Sequence, residues 1–322
     1  MKKGFIKSLL VGLGILCSSL TMAAEYPVKP ITMIVAWGAG GGTDATARLV
    51  ASLLEKELGK PVNVINKTGG NGVVGHTAMM RAKPDGYTIG MLTVEAMMMK
   101  NLGLANITAS DFTPLALLNV DYPGIAVRSD SPINDLKSLL DDIRKHPGKN
   151  KVSGTGQGGI WHVAFVGLLH SEGIDPSAAP FVPSNGAAPA MLELAAGGVQ
   201  IVPVSLAESK SMVDAGKAKI LSFLGPERSP MYPNVPTLKE TTGNDWRLSV
   251  IRGIVAPKGI PDDVKNKLEM ALHKISQSPE FLEFMKSRGF GVVYKNSQDF
   301  GAYMAEIEEQ SGKVLKEIGM VK

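Results

Sequence analysis

The sequence predicts an α/β protein of two lobes, each with a mixed, mostly parallel sheet flanked by helices, and with a ligand cleft between the lobes. Short β-branched runs alternate with longer helical patterns along most of the 322 residues, which is the order of βαβ units. Glycine-rich turns join several of these strands to the helices that follow them. A chain of this length also favours about two domains.

The first 24 residues are expected to form a secretory signal peptide that is cleaved near Ala24. Three lysines precede an uncharged run that ends in small side chains. A transmembrane anchor would need roughly 20 apolar residues. Lipid attachment at Cys17 would need a small residue directly before that cysteine, and Leu16 stands there. We therefore predict an exported protein.

Removal of this leader changes the composition, because it takes away three lysines and the only cysteine. The remaining chain has 31 basic and 30 acidic residues, so it offers no excess charge to nucleic acid or anionic lipid. Without cysteine it has no disulfides and no thiolate metal sites, and its core must hold the fold. The five histidines lack metal-ligand spacing, and no metal is expected.

The first lobe is predicted to comprise residues 25–122 and 248–322. Its first part alternates strand and helix in the order "ITMIVAW", a helix to Leu58, "VNVIN", a helix from about Val73, and "YTIGMLTV". Ligands bind beyond the carboxyl ends of strands in open α/β sheets. The glycine turns after these strands should therefore converge on one crevice.

The second lobe is predicted at residues 123–247, beginning in "LNVDYPGIAVRSDSPINDL". A second α/β set continues through "KVSGTGQGGIWHVAFVGLL", "MLELAAGGVQIVPVS" and "AKILSFLG". A strand in "WRLSVIRGIVAPKGIPDDV" then leads back to the first lobe, with Pro261 at a helix start.

The first glycine turn, in "IVAWGAGGGTDATARLV", presents backbone N–H groups at the start of a helix, which is the geometry of an anion site. Gly40, Gly42 and Ala45 fit G-x-G-x-x-A loosely, but Asn66 and Lys67 stand where a dinucleotide site has an acid. P-loop, G-x-S-x-G and H-E-x-x-H motifs are missing from the sequence. We therefore expect neither a nucleotide cofactor nor an enzyme, and the outline is that of a solute-binding protein.

Seven segments follow one another in a characteristic order: "YPVKPITMIVAWGAGGGTDATAR", "VINKTGGNGVVG", "AKPDGYTIG", "SGTGQGGIWHVA", "VPSNGAAPAMLELAAGGVQ", "ERSPMYPNVPTLKE" and "APKGIP". Their order resembles that of the periplasmic binding proteins of tripartite tricarboxylate transporters, often called the Bug or TctC family, over essentially the whole chain. The resemblance implies a periplasmic binding protein-like fold of type II. It also implies a periplasmic, monomeric protein whose cleft closes on a small carboxylate and delivers it to the membrane subunits of a transporter. A sensor-coupled binding protein remains an alternative, and an enzyme on the same fold is a third.

The resemblance also implies a set of ligand-binding residues, with the glycine loops holding a carboxylate through backbone N–H groups. Asp44 is expected to cap the first helix or orient loop amides. Trp37 has an alternative role as a core or hinge aromatic, and His162 as a packing or capping residue. The predicted residues are Trp37, Ala39, Gly40, Gly41, Gly42, Thr43, Asp44, Gly70, Asn71, Glu95, Gly156, Gln157, Gly158, Gly159, His162, Asn185 and Ser205.

Glu95 departs from what a tricarboxylate site needs, because it follows the third strand, where its side chain should face the crevice. A second ligand carboxylate there would meet like-charge repulsion. The ligand should instead present a donor at that end, as an amino acid, a hydroxy acid or a basic heteroaromatic acid does. The alternative is that Glu95 pairs with a lysine or arginine of the protein.

Overall fold

The computed structural model describes residues 26–321. The predicted signal peptide and its cleavage point near Ala24 lie outside the described residues. Among the helices of residues 26–321, none is long and apolar enough to cross a membrane.

The described chain alternates strands and helices as the sequence predicts. The strands lie at Ile31–Val35 (β1), Val62–Asn66 (β2), Thr88–Thr93 (β3), Phe112–Asp121 (β4), Pro123–Arg128 (β5), Val152–Ser153 (β6), Phe181–Val182 (β7), Ile201–Ser205 (β8), Ala218–Phe223 (β9), Val250–Pro257 (β10) and Val292–Lys295 (β11). The helices lie at Gly42–Leu58 (α1), Val73–Met80 (α2), Leu136–Lys145 (α3), Ile160–Ser171 (α4), Ala187–Ala196 (α5), Leu206–Asp214 (α6), Leu238–Thr242 (α7), Asp262–Ser276 (α8), Pro279–Arg288 (α9) and Ser297–Glu317 (α10).

The strands form two sheets, and both are mixed. The first sheet has the order β11-β4-β10-β3-β1-β2, in which β1 to β4 run in one direction and β10 and β11 in the other. The second has the order β7-β6-β8-β5-β9, in which β5 alone among these strands runs against the rest. The prediction of two mixed sheets flanked by helices is confirmed, but the pairing is not mostly parallel, because β10, β11 and β5 pair antiparallel with their neighbours.

Helix α1 shows how the local pattern produces the packing. Its buried face, including Val50 and Leu54, packs toward β1 and β2, whereas Arg48 and Glu55 are exposed on the other side. The helix ends as predicted at Leu58, because Gly59 adopts a left-handed conformation (φ 67°) that closes the last turn. This packing places the N-terminus of α1 beyond the carboxyl end of β1.

The chain passes from the first sheet to the second between β4 and β5, with Tyr122 as the connecting residue. It returns to the first sheet after α7, with β10. One apolar cluster combines buried side chains from both parts, among them Met97 and Ile160. The two sheets with their helices are therefore in contact across the cleft.

Candidate functional site

The first glycine turn connects β1 to α1 and leaves helical N–H groups without an internal partner. Gly41 is the N-cap residue in an extended conformation (φ −74°, ψ 170°), and it makes no side-chain cap. The N–H groups of the first helical turn, from Gly42 onward, are therefore free to bind an external acceptor. The partial positive charge of the helix end favours an anion there.

Asp44 orients this turn, as the sequence analysis allowed. Its carboxylate accepts hydrogen bonds from the Gly40 N–H at 2.9 Å, from Arg48 and from Asn66. Burial opposes ionisation, but these hydrogen bonds dominate and hold the pKa of Asp44 below its ordinary value. The ionised side chain fixes the loop backbone.

The second glycine turn joins β2 to α2 and needs residues that tolerate a left-handed backbone. Gly70, Asn71 and Gly72 have φ values of 57°, 56° and 85°. His76 ties this turn to the end of β3: the N–H of Thr93 donates to Nε2 at 3.3 Å, so the opposite nitrogen, Nδ1, donates to the Gly72 carbonyl at 2.8 Å. Burial lowers the pKa of His76 to about 4, so the ring is neutral at pH 7.

The end of β3 carries a chain of hydrogen bonds that reaches the second lobe. The indole nitrogen of Trp37 donates to Thr93 Oγ1 at 3.0 Å, and this hydroxyl donates to Glu95 Oε2 at 2.6 Å. Glu95 Oε1 accepts from the backbone N–H of Ile160 at 3.3 Å. Burial raises the pKa of Glu95, against the effect of these two hydrogen bonds. Glu95 thus binds the N-terminus of α4, and its hydrogen-bond partners are neutral donors instead of the lysine or arginine that the alternative required.

The second lobe contributes two more helix N-termini whose N-cap residue is glycine. Helix α4 begins after Gly159 and α5 after Gly186, and neither glycine provides a side-chain cap. His162 accepts a hydrogen bond from the Gly158 N–H at 2.9 Å and packs on Phe181, and burial lowers its pKa to about 4. His162 therefore fixes the loop before α4, which is the capping role that the sequence analysis considered.

These elements enclose one cavity between the lobes. The free space at its centre is about 30 Å³, enough for one water molecule and too little for an organic acid. The starts of α1, α4 and α5 all border it. Its wall consists of Trp37, Gly38, Gly41, Gly42, Thr43, Thr93, Glu95, Thr155, Ile160, Trp161, Gly186, Ala187, Ala188, Pro189, Glu208, Val250 and Arg252.

Buried polar atoms without a hydrogen-bond partner lie at this cavity and directly behind its wall. Thr155 Oγ1 and Glu208 Oε2 belong to residues of the wall, whereas both amide atoms of Asn71 lie behind it. A Cβ at Gly159 would lie 2.1 Å from Thr155 Oγ1 and 2.5 Å from Asn71 Oδ1, so these two polar groups meet at the start of α4. Unpaired buried polar groups are costly, and their concentration in one place indicates a site that is completed by another molecule.

Sequence reasoning missed Arg252, which is fully buried on β10. Its guanidinium donates to Thr43 Oγ1 and Asn119 Oδ1, and it forms ion pairs with Asp121 at 2.7 Å and Glu208 at 2.9 Å. Glu208 belongs to the second lobe, so this ion pair joins the lobes. The available signal was an arginine inside the apolar run "SVIRGIVAP", because a buried strand carries a charge only when that charge is paired.

The structure brings some of the predicted site residues together and places others behind the cavity wall. Trp37, Gly41, Gly42, Thr43 and Glu95 border the cavity. Gly40 instead borders an adjoining outer groove of about 390 Å³, and the side chain of Ser205 caps α6 by accepting from the Glu208 N–H. The other predicted residues that do not border the cavity are Ala39, Asp44, Gly70, Asn71, Gly156, Gln157, Gly158, Gly159, His162 and Asn185. Contact of any of these residues with a ligand stays a prediction.

Two α/β lobes around a cleft that is lined by helix N-termini define a solute-binding protein of the periplasmic class. The chain belongs to the tripartite tricarboxylate transporter family receptors, whose family model matches residues 46–320. A UPF0065 protein of Bordetella pertussis is 30% identical over 311 residues, which cover 95% of this chain and 94% of the relative.

Solved structures agree with this assignment. The periplasmic binding protein BugD has a TM-score of 0.86 and 29% identity, with 92% of this chain and 100% of BugD covered. MatC of Rhodopseudomonas palustris, solved with bound malate, shares the fold with a TM-score of 0.82 at 24% identity, over 92% of this chain and 100% of MatC. Members of the family are periplasmic solute-binding proteins, a class without enzymatic activity. Within residues 26–321, no group of histidine, cysteine, aspartate or glutamate side chains could hold a metal ion.

Proposed function

We propose that this protein captures a small organic carboxylate in the interlobe cavity outside the cytoplasm and delivers it to a tripartite tricarboxylate-type membrane transporter. The observation that carries the proposal is the convergence of three glycine-capped helix N-termini on one cavity. Such helix ends offer backbone N–H donors and a partial positive charge. Together these can bind a carboxylate without a positively charged side chain. The family assignment supports the delivery step.

Capture requires the lobes to separate, because the cavity is too small for an organic acid in this arrangement. We place the two lobes at residues 25–122 with 248–322 and at residues 123–247. The hinge then lies in the two crossing segments, near Asp121–Ile125 and Arg247–Val255. Small-angle scattering should show a smaller radius of gyration at saturating ligand than without ligand. An unchanged radius would contradict closure.

Gly41 provides a direct test of the anion site. Its φ of −74° is open to any residue, and an added Cβ would meet only the Gly38 carbonyl at 3.6 Å. Gly41→Val should therefore fold normally while its side chain blocks the approach of a carboxylate to the α1 N–H groups.

The measurement is thermal unfolding of the wild-type protein and Gly41→Val against mono-, di- and tricarboxylates, with the primary amides of the same acids as matched controls. An acid at 100 times its dissociation constant should stabilise the wild-type protein by about 2.7 kcal/mol, while the amides and the variant should show little shift. Stabilisation by amides and acids alike, or equal stabilisation of Gly41→Val, would argue against a carboxylate on this loop.

A further inference from the structure

Glu208 is a cavity residue that nothing in the sequence had indicated. It lies in the first turn of α6, where the Ser205 cap holds its backbone. Its side chain is 7% exposed; Oε1 accepts from Arg252 at 2.9 Å, and Oε2 is buried without a partner. The carboxylate therefore has a free acceptor position at the cavity.

Glu95 faces the same cavity from the other lobe and is 2% exposed. Its carboxylate accepts from Thr93, from the Ile160 N–H and from its own backbone N–H, whereas a carboxylate can accept about four hydrogen bonds. Burial raises the pKa of both glutamates, and the negative charge of Glu208 adds to this effect at Glu95. Each ionised carboxylate would be stabilised by a cation at the cavity.

The charge balance of the cavity wall points the same way. Arg252 is the guanidinium at the cavity, and it is already paired with Asp121 and Glu208. The cavity wall thus holds two carboxylates, those of Glu95 and Glu208, and one cation, whose charge is shared with Asp121 behind the wall. A ligand that carries only carboxylates would add further negative charge to this set, whereas a ligand with a protonated nitrogen would offset it.

We infer that Glu95 and Glu208 select a ligand that carries a protonated nitrogen close to its carboxylate, as an α-amino acid does. This inference rests on the proposed carboxylate site at the start of α1. A Cβ at Gly42 would lie 2.8 Å from Glu208 Oε1, so Glu208 borders the same helical turn that would hold the carboxylate. An ammonium one carbon away from that carboxylate would lie in the cavity whose wall includes Glu208 and Glu95.

The test is calorimetric binding of three series of acids that differ only at carbon 2. The series are propionate, lactate and alanine; succinate, malate and aspartate; and glutarate, 2-hydroxyglutarate and glutamate. Within the series that binds most tightly, the ammonium-bearing acid should bind at least about tenfold more tightly than the unsubstituted acid, which is the lower range for a charge-assisted hydrogen bond. The hydroxy acid should fall between them.

Substitutions identify the residues responsible. Glu208→Gln and Glu95→Gln keep the side-chain shape but remove the charge, and each should reduce the preference for the ammonium form by about tenfold, with little change for the unsubstituted acid. Glu309→Gln makes the same change on the exposed surface of α10 and should leave all affinities unchanged. Because the preference is also measured in the wild-type protein, misfolding of one variant does not remove the test.

The outcomes separate this inference from the proposed function. Tighter binding of unsubstituted acids by the wild-type protein would overturn the inference and leave the carboxylate site standing. An unchanged preference in both glutamine variants would also overturn it. If none of the nine acids bound, both the inference and the proposed function would be contradicted for this class of ligand.

Discussion

Three helices that border the cavity begin differently from several helices on the outside of the lobes, while α6, which borders the cavity through Glu208, has a Ser205 cap. Helices α1, α4 and α5 start at Gly41, Gly159 and Gly186, which provide no side-chain cap. In contrast, α3, α7, α9 and α10 are each capped by their own N-cap side chain. Those caps are Asp135, Thr237, Ser278 and Asn296.

The difference shows where the protein satisfies its helix ends locally and where it does not. A side-chain cap stabilises a helix but occupies the N–H groups that could bind another molecule. Glycine leaves those groups accessible and lets a second chain or a ligand approach closely. At α4 the acceptor is already Glu95 from the other lobe. The cavity therefore relies on interactions between distant residues, whereas the outer helices rely on neighbouring ones.

The largest loss of stability is expected when the buried ion pairs of the cavity wall are broken. Arg252→Met would leave Asp121 and Glu208 buried without their cation, so we expect a loss of about 3–5 kcal/mol in the free energy of unfolding. Arg144→Met removes an exposed ion pair with Asp141 and should cost no more than about 1 kcal/mol. Urea denaturation measures both values. Equal losses in the free energy of unfolding of the two variants would show that the buried ion pairs matter no more than an exposed one.

The next largest effect is a dependence of stability on pH, because His76 is fully buried and neutral. Its pKa of about 4 in the folded protein lies below the 6.5 of an unperturbed histidine. The unfolded state therefore binds the proton first as pH falls. The stability that neutral His76 contributes is therefore fully present above about pH 6.5 and is lost as the pH falls toward 4. Over this range the free energy of unfolding should fall by up to about 1.4 kcal/mol per pH unit.

Denaturation curves between pH 7.5 and 4.5 check this titration. The His76→Asn variant should be less stable at pH 7.5, and its stability should fall less steeply with pH than that of the wild-type protein. His146→Gln replaces an exposed histidine at the end of α3 and is the control for loss of an imidazole at the surface. A wild-type slope in His76→Asn would show that this ring does not titrate as described.

A smaller effect is expected at the outer caps. Asp135 accepts the N–H of Ser138 at 2.8 Å at the start of α3. Asp135→Ala should lower the free energy of unfolding by about 0.5–2 kcal/mol without changing the affinity for a bound acid. Denaturation and calorimetry on the same samples test both parts, and a loss of affinity would mean that the outer caps also support the site.

The smallest change in stability should come from giving a cavity helix a cap of its own. Gly41 has the extended conformation of an N-cap, so Gly41→Asp can accept from the first-turn N–H groups and should stabilise the ligand-free protein by a few tenths of a kcal/mol. The new carboxylate would compete with an acid for the same N–H groups. Binding should weaken by at least about tenfold, and retained affinity would show that α1 is not the carboxylate receptor.

The local pattern of the sequence was enough to predict the elements and most loop positions. Helix α1 ends at Leu58 and α2 begins at Val73, as predicted, because glycine turns and apolar periodicity are local signals. The role of Asp44 in orienting the first turn followed from its place in the first helical turn. The motif order also indicated the family, which the family model confirms.

Only the tertiary structure decided which of these local features meet. Arg252 contacts Thr43, which is 209 positions away in sequence, and Glu208 comes from the other lobe. Glu95 was predicted to face the crevice, but its partner, the N–H of Ile160, depends on how the lobes pack. Sheet order and the two crossings between the sheets determine these long-range pairs. A side chain's own neighbours in sequence carry no information about them, because burial and charge pairing are set by whichever distant segment packs against it.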